Sequence, residues 1–283
     1  MTTEQLDERG VLTLQEAADR LGVHYMTAYR YVRTGLLRAT KQGATWQVGA
    51  EDLRRFQEQD ATPGSTRRSR SGYVERLADR LTVADEAGAS ALVDQALAGG
   101  ADVEEVYLDL ITPALVLIGD RWEAGTLSVA GEHQASAIVL RLLGRLGPRF
   151  LPPGAKRGTM VLGSAPGDHH GLPCAILADL LRLRRFEVVD LGGDTPALGF
   201  ADACRGRDRL LLVGVCATVK RDRAVRDVVR AVRDAGVDVP ILAGGAGVVD
   251  EGHAAALGAD GWGGPGRLAV DAIERLVGAT TSS

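Results

Sequence analysis

Residues 161–181 read VLGSAPGDHHGLPCAILADLL: an apolar run, a loop of small residues, then helical spacing from Pro173 onward. That order is a buried strand turning into a helix. The turn carries Asp168, His169 and His170. In parallel α/β sheets such turns lie at the carboxyl edge of the strands, where ligands bind. Asp168, two positions before His170, can hold one ring nitrogen and so set the tautomer and basicity of the other, which suits a metal or cofactor ligand.

The same rhythm continues to the end of the chain. After Pro152-Pro153, GTMVLGSA, FEVVDLGG, RLLLVGVCA, VPILAGGAG and GADGWGG alternate with helical segments that start near Pro173, Pro196 and Arg221. Five short apolar strands separated by helices predict a doubly wound, flavodoxin-like parallel sheet over 151–283. Two more strand ends carry small residues, Cys216-Ala217-Thr218 and Gly244-Gly245. The missing side chains at the two glycines are expected to let a bulky planar ligand or its tail approach the backbone.

Upstream, residues 73–150 have helical periodicity throughout, broken at Gly99-Gly100 and Gly125, which predicts a four-helix bundle. Trp122 lies near the end of one helix. Ser128 begins the next, and Glu132 and His133 follow around the corner, on the side of the indole. In isolation the set reads equally well as a core Trp with two exposed polar neighbours.

The first 60 residues predict a winged helix-turn-helix. Leu14, Ala17, Ala18 and Leu21 share one helical face with Thr13 as cap, Gly22 breaks the helix, and 24–34 form a second one. LLRATKQGATWQV then reads as a two-stranded wing with Lys41-Gln42-Gly43 at its turn, closed by a short helix over 51–57. A small helical hairpin without a nucleic-acid role has a similar pattern. Residues 61–72, rich in Pro, Gly, Ser and Arg, predict a linker.

The bulk numbers set limits. At 283 residues and 45% hydrophobic content, the chain can bury two or three cores. Its net charge of −4 argues against a nucleic-acid coat or a polybasic membrane binder, yet residues 1–72 hold 11 Lys and Arg against 9 Asp and Glu. Three cysteines without a CxxC pair support neither a disulfide framework nor a zinc knuckle. With no signal-like start and no long apolar run, a soluble cytoplasmic protein is expected.

The amino-terminal segment resembles the excisionase and MerR-like helix-turn-helix family through Glu16-Ala17-Ala18, Gly22-Val23, Thr27 to Arg30 and the residues 35–39. By that resemblance Tyr25, Met26, Thr27, Tyr29 and Arg30 face the DNA major groove, and Arg38, Lys41 and Gln42 its phosphates. Gln47 stands where that family commonly has Arg after the Trp.

The carboxy-terminal half resembles cobalamin-binding domains of the base-off, His-on kind, D-x-H-x-x-G followed by S-x-L and G-G. Asp168, His170, Gly244 and Gly245 match the pattern, while Pro173, Cys216 and Thr218 replace Gly, Ser and Leu. The resemblance makes His170 the lower axial ligand of cobalt and Asp168 its partner, and puts the replaced positions beside the nucleotide tail.

Trp122 with Glu132-His133 resembles the W-x9-EH signature of CarH-type and LitR-type light-sensing repressors, with Glu123 where the light sensors often have His. The resemblance implies a non-enzymatic regulator, a repressor that binds adenosylcobalamin and a double-stranded DNA operator and works as a dimer or tetramer. Trp122, Glu132 and His133 would form the lid over the adenosyl group. Two alternatives stay open at this stage: a helix-turn-helix regulator with a degenerate cobalamin fold reading another ligand, and a corrinoid methyl carrier.

Overall fold

The structure, a computed structural model, describes residues 11–21, 28–29, 31–32, 37–42, 45–60 and 66–280. It divides into two compact units, 1–138 and 139–283. No described helix is long and apolar enough to cross a membrane.

In the first unit, β1 (Val11–Thr13) leads directly into α1 (Leu14–Leu21). A reciprocal cap starts the helix: Thr13 N–H donates to the Glu16 carboxylate at 2.7 Å, and Glu16 N–H donates to the Thr13 hydroxyl at 3.3 Å. Leu14, Ala17 and Ala18 are buried with Ala28, Val32, Leu37, Val48, Leu53 and Phe56. β2 (Thr40–Gln42) and β3 (Thr45–Gly49) pair antiparallel, and β1 adds to the far edge of β3, giving the order β1-β3-β2 before α2 (Ala50–Asp60). Lys41 and Gln42 therefore lie in the strand, opposite Trp46 and Thr45, and not at the turn where the sequence put them.

The expected linker is a second correction. α3 (Thr66–Thr82) begins inside it. Pro63 and Gly64 both precede the helix, and Arg is a good helix former. Gly72 costs about 1 kcal/mol against Ala. Burial of Val74, Leu77, Ala78 and Leu81 one turn later outweighs that cost. α4 (Glu86–Ala98) follows, with the Asp85 carboxylate accepting Gly88 N–H at 2.9 Å as its cap.

α5 (Val103–Glu105), a π turn (Val106–Ile111) and α6 (Thr112–Glu123) run on as one helix. Proline explains the π turn. Pro113 has no N–H to give the preceding turn, and Thr112 N–H reaches five residues back, to Tyr107 O. α3 packs against α4, the π turn and α6, around Leu77, Leu81, Val93, Tyr107, Ile111 and Ala114.

The helical region was expected to close at 150, yet the division between units falls within α7 (Val129–Leu146). The 3-10 turn Gly147–Phe150 packs on α8 (Leu172–Leu183), and Phe150 is fully buried, so this end of the helical region belongs with the sheet.

In the second unit β4 (Thr159–Ser164), β5 (Glu187–Asp190), β6 (Leu210–Cys216), β7 (Ile241–Gly244) and β8 (Gly261–Gly263) are all parallel, in the order β5-β4-β6-β7-β8. This is the flavodoxin-like arrangement the strand pattern predicted. Two cores cover the sheet. One gathers Val161, Val213, Val215 and Ile241 with Phe200 from α9 (Ala197–Cys204) and the valines of α10 (Asp222–Asp234). The other gathers Met160, Leu162, Leu212 and Leu242 with Leu181 of α8 and Ile273 of α12 (Arg267–Thr280); α11 is the short helix Glu251–Ala256. The strand order reverses between β4 and β6, so the loops leaving these two strands part there and open a crevice.

Candidate cofactor site

The two loops at the reversal carry the site. Ser164 ends β4 directly opposite Cys216, the end of β6. Past Ser164 the chain turns tightly: Asp168 N–H bonds Ala165 O at 2.9 Å, and the Ser164 hydroxyl donates to His170 O at 2.9 Å. Gly171 precedes α8 and Pro173 sits in its first turn, where its missing N–H has no intrahelical partner to lose. The Pro173 departure from the motif is thus absorbed by the helix start.

Asp168 is buried, and His170 beside it has a half-exposed side chain. Asp168 Oδ1 lies 2.8 Å from His170 Nδ1 and accepts His170 N–H at 3.2 Å. From the β6 loop, Thr218 N–H donates to Oδ2, and Thr218 Oγ1 lies 2.9 and 3.0 Å from the two carboxylate oxygens and 2.9 Å from His170 Nδ1. Burial raises the Asp168 carboxyl, but the hydrogen bonds from Thr218 and His170 outweigh it and hold the group below its ordinary value. Asp168 is therefore an anion that can only accept, and Nδ1 is the nitrogen that carries the proton. Nε2 has no partner among the described residues, and its lone pair is left for a metal.

The donor set limits which metal. Among the described residues no three His, Cys, Asp or Glu side chains gather to hold an ion. A single imidazole fits a metal that brings its remaining ligands with it, as cobalt does inside a corrin ring. The site fits such a group through His170, with Asp168 behind it.

Other expectations change. Thr218, expected beside a nucleotide tail, touches both members of the Asp168–His170 pair instead. The two glycines do not open space for a ligand. A Cβ on Gly244 would meet Gly263 O at 2.6 Å, and one on Gly245, whose φ is +91°, would meet Ala217 O at 2.4 Å. Protein backbone fills both places, so these glycines let neighbouring loops close on each other. The Cys216 thiol is pushed well above its ordinary value by its hydrogen bond with Cys174, by burial and by the Asp168 charge, and stays protonated. Sequence reasoning missed Ser164 and Asp194: Asp194 accepts Gly167 N–H at 2.6 Å and its own N–H holds Asp168 O at 2.6 Å. The DLGGD run at the end of β5, itself a strand end, was the signal available.

In the first unit, Trp122 is 50% exposed, which excludes the core-Trp reading. α6 closes behind it with Gly125 N–H on Trp122 O at 2.9 Å and Gly125 at φ +71°. Ser128 Oγ accepts Gly131 N–H at 3.1 Å to start α7. The short connection puts Trp122 and the first turn of α7 at one end of the helices. There the Glu132 carboxylate accepts the Ser136 hydroxyl at 2.7 Å, and His133 is exposed with Nδ1 2.9 Å from Val129 O and 3.6 Å from Glu132.

Of the proposed DNA contacts, Tyr25, Met26, Thr27 and Arg30 lie outside the described residues, as does the Gln42 side chain. Arg38 is exposed, Lys41 Nζ lies 5.9 Å from the Trp46 ring centre, and Tyr29 stands edge-on to Trp46 at 6.5 Å, half-buried.

Comparison with known proteins follows the same divisions. A helix-turn-helix domain family matches residues 11–61, and B12 binding domain families match 73–146 and 158–274. The chain carries a helix-turn-helix domain followed by a helical and a parallel-sheet B12 binding domain. The trimethylamine corrinoid protein 2 of Methanosarcina acetivorans is 27% identical over 215 residues, 74% of this chain and 97% of the relative. The HTH-type transcriptional repressor CarA of Myxococcus xanthus is 35% identical over 104 residues, 36% of this chain and 34% of the repressor. The solved monomethylamine corrinoid protein of Methanosarcina barkeri shares the fold, with a TM-score of 0.61 at 20% identity over 72% of this chain and 99% of that one. The B12 binding domains and the corrinoid relatives support a corrinoid cofactor.

Proposed function

We propose that the chain is an adenosylcobalamin-binding, light-responsive transcriptional regulator, acting as a repressor and not as an enzyme. The observation that carries this reading is the union, in one chain, of a helix-turn-helix domain at 11–61 with a preorganised single-imidazole ligand at His170. Bound adenosylcobalamin supplies a cobalt–carbon bond that light breaks. The chain's residues would do the rest: His170 would hold the metal, Asp168 would fix that imidazole, and the half-exposed Trp122 with Glu132 and His133 would recognise the adenosyl group. A ligand that stabilises one assembly state, and no longer does so once broken, converts illumination into a change of oligomer and of operator affinity. One helix-turn-helix per chain gives few base contacts, so a dimer or larger assembly is part of the proposal. With Glu123 beside Trp122, His133 would be the imidazole that could serve the metal once the adenosyl group has left.

The corrinoid carrier reading has its own support, since 97% of a trimethylamine corrinoid protein aligns with this chain. That match leaves about a quarter of this chain over, room for a DNA-binding module that a carrier does not need. The test is to load the purified protein with adenosylcobalamin in the dark, then follow its spectrum, its size in solution and its binding to upstream DNA before and after green light. Light-dependent change in all three supports the regulator. Uptake without DNA binding favours the carrier, and no uptake of any cobalamin overturns both.

A further inference from the structure

We propose that Thr218 is the positioning residue that selects which nitrogen of His170 faces the metal. The S-x-L motif has Leu at this position, which has no hydroxyl to offer. Thr218 Oγ1 lies within 3.0 Å of both Asp168 oxygens and 2.9 Å from His170 Nδ1. A threonine hydroxyl has one proton and two lone pairs, and an ionised carboxylate has only acceptors. The Thr218 proton therefore goes to Asp168, and its lone pairs turn to Nδ1. Two acceptors, Asp168 Oδ1 at 2.8 Å and Thr218 Oγ1, then converge on the one ring nitrogen. That convergence pins the proton on Nδ1, fixes the ring plane and leaves Nε2 as the outward lone pair.

Without the hydroxyl, the half-exposed imidazole keeps one partner and can rotate or exchange tautomers. Thr218 reaches this place through backbone that is fixed independently of its side chain. Its own N–H donates to Asp168, and the preceding Ala217 is tied by its N–H to Gly244 O at 2.9 Å and by its carbonyl to Gly247 N–H at 2.8 Å. Removal of the hydroxyl alone leaves these bonds in place.

The inference rests on the corrinoid reading only for its second readout. First, the full chain with 15N-labelled histidine, five residues in all, is examined without cofactor by long-range 1H–15N NMR, with His170→Gln to assign the signal. The wild type should show His170 as the Nδ1–H form. Thr218→Val should give a mixture of tautomers, Thr218→Ala the same change with less bulk, and Thr218→Ser the wild-type form. Second, the proteins are loaded with cob(II)alamin and the nitrogen splitting of the axial ligand is read by electron paramagnetic resonance. Thr218→Val should lose part of the splitting and bind cobalamin about tenfold more weakly, at the lower end of the range for residues that orient a metal ligand, and Thr218→Ser should restore both. Wild-type tautomer and wild-type splitting in the Val and Ala variants would overturn the proposal. If the wild type itself shows no nitrogen splitting, the axial-ligand reading of His170 falls, and the tautomer result decides the role of Thr218 by itself.

Discussion

Asp168 and His170 form a graded pair: the carboxylate, 1% exposed, sits 2.8 Å behind an imidazole whose side chain is 55% exposed. The buried member holds and the open member presents. His169, next in sequence, has no such backing; its side chain is 79% exposed and its ring lies 3.5 Å from Asp194, itself well exposed. His170→Ala is therefore expected to abolish the histidine-ligated spectrum of bound cobalamin, and His169→Ala to leave it nearly unchanged. Spectrophotometric titration of both variants checks this, and equal loss from the two would refute the assignment.

Phosphate contact by Arg38, just before β2, and by Lys41 within it should be independent of sequence. Arg38→Ala and Lys41→Ala are each expected to weaken binding to any duplex and to reduce the salt dependence of log K by about 0.9 per lost contact. Arg30→Ala should instead relax specificity, at a cost of about 1–3 kcal/mol. Fluorescence anisotropy between 50 and 200 mM salt, with operator and unrelated duplexes, separates the two behaviours.

Trp122 is half-exposed, so its truncation should cost about 1–3 kcal/mol of stability, less than the loss of a fully buried aromatic. Under the proposed function it should also reduce the preference for adenosylcobalamin over methylcobalamin. A comparison of melting curves with dissociation constants for the two cofactors tests this; a stability loss with unchanged preference would return Trp122 to a structural role.

Gly245→Ala should destabilise the second unit by about 1–3 kcal/mol. It adds backbone strain at φ +91° and drives a methyl group against Ala217 O. Because Ala217 precedes Thr218, cofactor binding should fall with it. Urea denaturation and cobalamin titration of the same variant give both numbers.

Arg157 bonds Glu274 through both carboxylate oxygens, at 2.7 and 2.8 Å, and lies over the Phe186 ring. The Arg157 hydrogen bond lowers the Glu274 carboxyl below its ordinary value. A depressed carboxyl stabilises the fold above its unfolded pKa, and that stability is lost as pH falls through the folded value. With both side chains about a third exposed, the contribution is about 0.5–1 kcal/mol. Glu274→Gln should thus lower the urea midpoint at pH 7, and the gap to wild type should close below about pH 4. A gap that does not narrow as the pH is lowered through the acid range would count against the ion pair.

Strand positions, helix starts and the Asp168–His170 pair were legible because each rests on local chemistry: apolar runs of strand length, prolines at helix entries, two residues two positions apart. Thr218 was misread because its partner is fifty positions away, and only parallel pairing of Ser164 with Cys216 brings it there. Gly244 and Gly245 were misread because a missing side chain looks the same in sequence whether ligand or backbone fills the space. The start of α3 was hidden by composition: Ser and Arg suit a linker and an exposed helix turn equally well. The π turn had a signal in Pro113 that hydrophobic periodicity alone does not weigh.

That π turn makes the helix through 103–123 one residue longer than its α-helical length would require. In an α-helix each residue advances about 100° around the axis, and the π turn absorbs its extra residue by underwinding, so deleting one residue from 106–111 would restore regular winding and leave the helix beyond it facing the same way, whereas a deletion outside the turn would swing it by that angle. The π turn thus lets the helix carry one more residue without turning Trp122 to another side of the rod. Relatives that lack the turn should align across this stretch only with a one-residue gap, and grafting their shorter sequence here should leave the indole on the same side.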